Sequence, residues 1–198
     1  MLLQYYKRGI IEAGCDEAGR GCLAGPVVAS AVILPAEFEN PLLNDSKKLT
    51  RKWRNSLKDE IIEHAIDFGI GVVDNMEIDR INILRASFKA IHLALDQLKQ
   101  KPQTILVDGN RFEKYRDLEH ICIIKGDGKY MSIAAASILA KTYRDELMKK
   151  YAEEFPNYHW DTNAGYPTPA HRDAIKKFGL TKYHRRSFRQ LPDQLPVF

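Results

Sequence analysis

Four carboxylates stand where chemistry would need them. Asp16 and Glu17 follow the apolar stretch IIEAGC, Asp108 closes ILVD, and Asp127 sits between glycines after ICIIK. Acids next to glycines after apolar runs fall at the rim of a sheet, where open α/β folds bind their ligands. Carboxylates converging there repel one another unless cations lie among them. A hard ion such as Mg²⁺ prefers such oxygen ligands. Two ions about 3.5–4 Å apart activate a water and stabilise the leaving oxygen of a phosphodiester. Taken one at a time, Asp108 and Asp127 read more simply as turn residues or helix caps. Asp16 and Glu17 pose a further problem, because neighbours on a regular strand point to opposite faces. They reach one site only if the strand ends or bulges there, which Gly19 and Gly21 permit.

Three further segments carry candidate binding groups. In Gly19-Arg20-Gly21 the two glycines let backbone approach a ligand, and the arginine offers a fork for phosphate; taken alone, a tight turn is the commoner explanation. Lys47 and Lys48, ahead of a helix, suit phosphate or plain solvent. Tyr166, beside Gly165 and ahead of His171 and a run of cations, can stack on a sugar or base, or simply pack on the body of the protein.

The elements that position these residues follow from periodicity and punctuation. Residues 10–15 and 27–34 read as strands, and Ile66, Phe68, Ile70 and Val72 alternate as in a half-buried strand. Thr50 caps a helix carrying Trp53, Leu57, Ile61 and Ala65, and a second helix carries Leu84, Phe88, Ile91, Leu95 and Leu98. Short apolar strands cover 104–107 and 121–124. A long helix runs from about Met131 to about Phe155, its SIAAASILA stretch small enough for close packing on a sheet, and Pro156 breaks it. NYHWDTNAGYP reads as a loop, and Thr168-Pro169 opens a short helix that Gly179 closes. The order predicts a mixed sheet with helices packed on it. A boundary near 156 divides a catalytic body, 1–156, from a cap, 157–198, too small to bury a core alone.

Composition narrows the rest. With 198 residues, 44% hydrophobic and 28% charged, the chain can build a core without disulfides, and disorder is excluded as its main state. No apolar run approaches the ~20 residues of a membrane span, and no secretory signal is visible. Cys15, Cys22 and Cys122 cannot all pair and lack zinc spacing, which points to a reducing cytoplasm. The net charge of +4 is unevenly spread: Arg172, Lys176, Lys177, Lys182, Arg185, Arg186 and Arg189 face only Asp173 between Ala170 and Arg189, leaving the remainder acidic. That arm suits an anionic partner, nucleic acid first, or a solvated helical face.

Together the segments CDEAGRGCLAGPVVASAVIL, NDSKKLT, IDRINIL, ILVDGN, KGDGKYMSIAAASILAKTYRD and GYPTPAHRDAIKKFGLTKYHRRSF closely resemble the type 2 ribonucleases H, the bacterial ribonuclease HII enzymes. They occur in that family's order from Gly14 to Phe188. The resemblance implies a ribonuclease H-like α/β fold: a five-stranded mixed sheet flanked by helices, with a small C-terminal helical cap. It implies hydrolysis of RNA in RNA–DNA hybrids and incision 5′ of single ribonucleotides in duplex DNA, leaving 3′-hydroxyl and 5′-phosphate ends. Two Mg²⁺ or Mn²⁺ ions serve the reaction, and a monomer is expected. The family's metal-binding acids fall on Asp16, Glu17, Asp108 and Asp127, with Asp145 as a competing fourth. Its 2′-hydroxyl sensor falls on Gly19, Arg20 and Gly21, and its sugar-packing tyrosine on Tyr166. Lys47 is a candidate phosphate contact. Arg185 and Arg186 match a family motif, either touching substrate or bracing the cap. Cys22 departs from the proline common after the glycine-arginine-glycine triplet, which puts the geometry of that turn in question.

Overall fold

The computed structural model describes residues 2–43 and 51–192. Lys47, Lys48 and the Thr50 cap lie outside them. Five strands form one sheet: β1 (Glu12–Ala18), β2 (Val27–Ile33), β3 (Asp67–Val73), β4 (Thr104–Asp108) and β5 (Glu119–Ile123), in the order β3-β2-β1-β4-β5. β3-β2 and β2-β1 pair antiparallel, whereas β1-β4 and β4-β5 are parallel. All seven residues of β2 are buried, because helices cover both faces of the sheet.

On one face lies α3 (Ile83–Asp96), which sets Ala86, Ala90, Ile91, Ala94 and Leu95 against Ala13, Cys15, Ala29, Ala31 and Val107. Its contact with β3 is made through glycine: a Cβ at Gly69 or Gly71 would run into the carbonyl oxygens of Ala94 and Ala90. The alternating Phe68 and Ile70 therefore pack on the opposite face, with the second cluster, and Val72 is exposed. On that second face α4 (Met131–Glu154) and α1 (Arg51–His64) bury Leu57, Ile61, Ala134, Ala135, Ile138 and Leu139 over Val32. Gly14 lets α4 approach β1 so closely that any side chain there would meet the backbone of Ser132 and Ile133. The small-residue stretch of α4 serves this close approach.

The sequence reading missed α2 (Asn75–Ile81), although Asp74 and Glu77 carry its start signal: the Asp74 carboxylate accepts from Glu77 N–H at 2.8 Å. Asn82, at φ 69°, turns the chain, and its side chain caps α3. α2 also latches the C-terminal segment. Asn75 Nδ2 donates to the carbonyls of Lys182 and His184, and Asp79 accepts from the backbone N–H groups of Arg186 and Ser187.

Beyond α4, the segment read as loop contains one further helical turn, α5 (Trp160–Asn163), before α6 (Pro169–Phe178). Trp160, Tyr158, Ala174 and Ile175 share a cluster with Met148 and Ala152 of α4 and with Leu23 and Ala24. Inside it sits a histidine pair of defined polarity. Trp160 Nε1–H donates to His171 Nε2 at 2.9 Å, so the proton of His171 is on Nδ1 and goes to the Tyr166 carbonyl, also at 2.9 Å. Thr181 N–H donates to His184 Nδ1, leaving the Nε2 proton of His184 to face His171 Nε2 at 3.3 Å. Both rings are thereby held neutral. Burial, followed by the neighbouring His171, pushes His184 down to about 4 from its ordinary 6.5. Between those values the unfolded chain binds a proton that the native one refuses, so stability should fall as pH drops from 6.5 towards 4 and this contribution should level off below. Melting temperatures from pH 7 to 5 check this: the decline should be shallower in His184→Asn, and an equal slope would contradict it.

Candidate active site

β1 continues through Asp16 and Glu17, pairing them with Ser30 and Ala29 of β2 in unbroken register. The expected end or bulge is absent, and the two acids leave opposite faces of the strand. They reach a common site because the β1-β4 ladder stops at Cys15–Val107, while each strand runs on past that point. Asp108, the last residue of β4, lies beside the opening. Burial pushes the Asp16 carboxyl well above the ordinary range, and the charges of Glu17 and Asp108 add to it, against a hydrogen bond with Ser137 of α4 that lowers it. Glu17 is raised by burial and by Asp108, and lowered by the Arg20 guanidinium, 3.2 Å away. The neighbours Asp16 and Glu17 and the distant Asp108 thus lie within each other's fields. Asp127 is buried in the single 3₁₀ turn Gly126–Gly128, and that turn is tied to the site by Gly126 N–H donating to Asp108 Oδ1 at 2.6 Å.

Among the described residues, no three His, Cys, Asp or Glu side chains form a ready-made metal cage. The donor set nonetheless fits a hard divalent cation. It is all oxygen, its members repel one another, and Mg²⁺ in particular keeps waters and takes substrate phosphate oxygens as ligands. Asp145, the competing acid, lies on α4 within 4 Å of Arg54 and Lys141. Ser137 is a site residue the sequence reading did not find; a serine within an alanine-rich helix carries no signal until that helix is seen to cross beneath β1.

Next to the acids is a turn closed by Cys22 N–H to the Gly19 carbonyl at 3.4 Å, a bond that a proline at 22 could not make. Gly19 has φ +95° and no room for a Cβ, since Arg144 fills that space. Arg20 and Gly21 are exposed. Tyr166 is half-exposed, with the Arg144 guanidinium 6.0 Å from its ring centroid. Leu23 N–H to the Gly165 carbonyl, 2.8 Å, joins the tyrosine's loop to the turn.

The basic arm does not act as one surface. Arg185 is fully buried, its guanidinium donating to the carbonyls of Gly25, Arg20 and Pro26, so it has no exposed face for a phosphate. The reading of Arg185 as a substrate contact is corrected on that ground. Arg172 turns onto the Gln190 carbonyl, and Lys182 pairs with Glu154. Lys176, Lys177, Arg186 and Arg189 are exposed. Glu17 and Asp108 line a small pocket together with Arg20, while Asp16 and Asp127 are buried behind it; a hollow of about 600 Å³ lies elsewhere, lined by Tyr5, Lys7, Arg8 and Glu12 at the amino end of β1.

The fold matches the crystal structure of ribonuclease H2 from Pyrococcus horikoshii, with TM-score 0.76 and 29% identity over 91% of this chain and 95% of that one. It also matches ribonuclease HII of Archaeoglobus fulgidus, solved in complex with PCNA, with TM-score 0.75 and 25% identity over 94% and 98%. The sheet, its helices and these neighbours define a nuclease of the ribonuclease H type. In sequence, the family model described as ribonuclease HII matches residues 13–191. The ribonuclease HII proteins of Christiangramia forsetii and Bacteroides thetaiotaomicron are 63% and 61% identical, over 99% and 98% of this chain and 99% and 96% of theirs. The chain belongs to the ribonuclease HII family, and it is a type 2 ribonuclease H, an endonuclease on the RNA of RNA–DNA hybrids.

Proposed function

We propose that the enzyme, besides cutting RNA in hybrids, incises 5′ of single ribonucleotides embedded in duplex DNA, leaving 3′-hydroxyl and 5′-phosphate ends. The observation that carries the reading is the convergence of Asp16, Glu17 and Asp108 at the open end of the β1-β4 ladder, beside an exposed glycine turn. Asp16, Glu17, Asp108 and Asp127 hold two Mg²⁺ or Mn²⁺ ions. When bound, the ions supply an activated water and neutralise charge on the leaving 3′-oxygen. The chain's own groups position the reactants. Backbone amides of Gly19, Arg20 and Gly21 read the 2′-hydroxyl, the group that separates RNA from DNA. Tyr166 packs on the sugar next to the junction. Lys47, outside the described residues, and the exposed Arg186 meet phosphates. Duplex binding then weakens with salt, and sequence preference is slight. The enzyme acts as a monomer in the cytoplasm; no described helix is long and apolar enough to cross a membrane.

Duplexes holding zero, one or four ribonucleotides, incubated with Mg²⁺ or Mn²⁺ and mapped at nucleotide resolution, test this. The expected pattern is one cut 5′ of the lone ribonucleotide and none in all-DNA; cutting of all-DNA, or of the four-ribonucleotide duplex alone, would overturn it. Tyr166→Ala should lower incision at the lone ribonucleotide by about tenfold or more, the scale of one lost stacking contact. Unchanged kinetics would remove Tyr166 from the site.

A further inference from the structure

Arg185 is a buried cation with no carboxylate in contact among the described residues. Its guanidinium spends its donors on three backbone carbonyls: Gly25 at 2.9 Å, Arg20 at 2.9 Å and Pro26 at 3.1 Å. Its own N–H donates to the Leu23 carbonyl at 2.8 Å, and its guanidinium lies 5.1 Å from the Phe188 ring centroid. Taking a guanidinium out of water is expensive, and the Arg20 carbonyl, in an exposed turn, can be hydrated instead. Such an arrangement is retained where the position of the turn matters.

The Arg20 bond is the informative one. The peptide joining Arg20 to Gly21 is planar and trans, so its C=O and N–H point in opposite directions. Arg185 pulls the Arg20 oxygen inward, towards the buried side. The same act turns the Gly21 N–H outward, where Gly21 is exposed and its surroundings are open. A flexible two-glycine turn would otherwise sample several orientations of that peptide plane. We infer that Arg185 is a positioning residue: by pinning the Arg20 carbonyl it holds the Gly21 amide aimed at the 2′-hydroxyl, so that discrimination between ribose and deoxyribose depends on a side chain that never touches substrate. This rests on the proposed reading of residues 19–21 as the 2′-hydroxyl sensor. Asp79 supports the device one step back, since its carboxylate holds the N–H groups of Arg186 and Ser187, which follow Arg185.

The test is an affinity ratio. Binding is measured by fluorescence anisotropy in EDTA, where metal-dependent cutting is stopped, on one duplex with a single ribonucleotide and the same duplex in all-DNA form. In Arg185→Met the ratio of the two affinities should fall about tenfold, the scale of one hydrogen bond, with all-DNA affinity unchanged within about twofold. A purely structural role would weaken both duplexes alike and keep the ratio; that result overturns the inference while leaving the sensor reading in place. A wild-type ratio of one would overturn the sensor reading itself. If Arg185→Met does not fold, Asp79→Asn, which loosens the support without removing the guanidinium, should lower the ratio about threefold, and an unchanged ratio there counts equally against the inference.

Discussion

Asp108→Asn should abolish cutting of a duplex with one ribonucleotide while the fold persists. The asparagine oxygen can still accept the Gly126 N–H that now reaches Asp108 Oδ1 at 2.6 Å, so the turn bearing Asp127 keeps its tether. What disappears is a negative charge at the mouth of the β1-β4 opening. Charge stabilisation by a bound cation is worth several kcal/mol in the transition state, so losing a ligand should lower kcat by about 10³-fold or more. Single-turnover kinetics with Mg²⁺ or Mn²⁺, together with a melting curve, checks both halves. Turnover near that of the wild type would remove Asp108 from the metal site.

The second large effect is on stability. Arg144, fully buried in the middle of α4, donates to the carbonyls of Pro26 at 2.8 Å, Ala164 at 2.7 Å and Ala24 at 3.0 Å. It ties the segment after the glycine turn to the loop that carries Tyr166. Arg144→Leu fills part of the volume but takes the guanidinium from the Ala24 and Ala164 carbonyls, while Pro26 keeps only Arg185 at 3.1 Å. Unsatisfied buried polar groups cost ~1–3 kcal/mol each, so a net loss of about 3–5 kcal/mol is expected once relaxation is allowed for. Arg144→Lys should recover only part of it, because an ammonium cannot reproduce the planar fork. Urea unfolding measures both; a loss below about 1 kcal/mol for the leucine variant would mean that water replaces the guanidinium.

Much of this was legible in the residues themselves, and the failures have physical causes. Apolar runs ending in acids located β4 and the end of the sheet where Asp16, Glu17 and Asp108 gather, because a buried strand needs hydrophobic side chains whatever its neighbours do. The end of β1 was placed too early: Asp16 and Glu17 are polar and read as a strand exit, yet ladder pairing with Ser30 and Ala29 depends only on backbone. β3 was found through Phe68 and Ile70, but its tightest contact is made by Gly69 and Gly71, where the absence of a side chain is the packing signal. α2 was overlooked despite Asp74 and Glu77, since at seven residues it is too short for periodicity to register. At Arg185 the residues left two roles open, substrate contact or brace. A buried guanidinium and a solvated one are identical in sequence; only the carbonyls of a turn some 160 positions away distinguish them.

α4 carries one further consequence. Its first half passes under β1, where Ser137 meets Asp16, and its second half anchors the C-terminal helices through Met148 and Ala152. A 24-residue helix is a rod about 36 Å long that does not bend without a stated cause. If the proposed site is right, the C-terminal groups that would grip a duplex and the acids that would serve its cleavage are mounted on one girder. Where such an enzyme grips would then determine where it cuts, as with the jaw and blade of a fixed gauge.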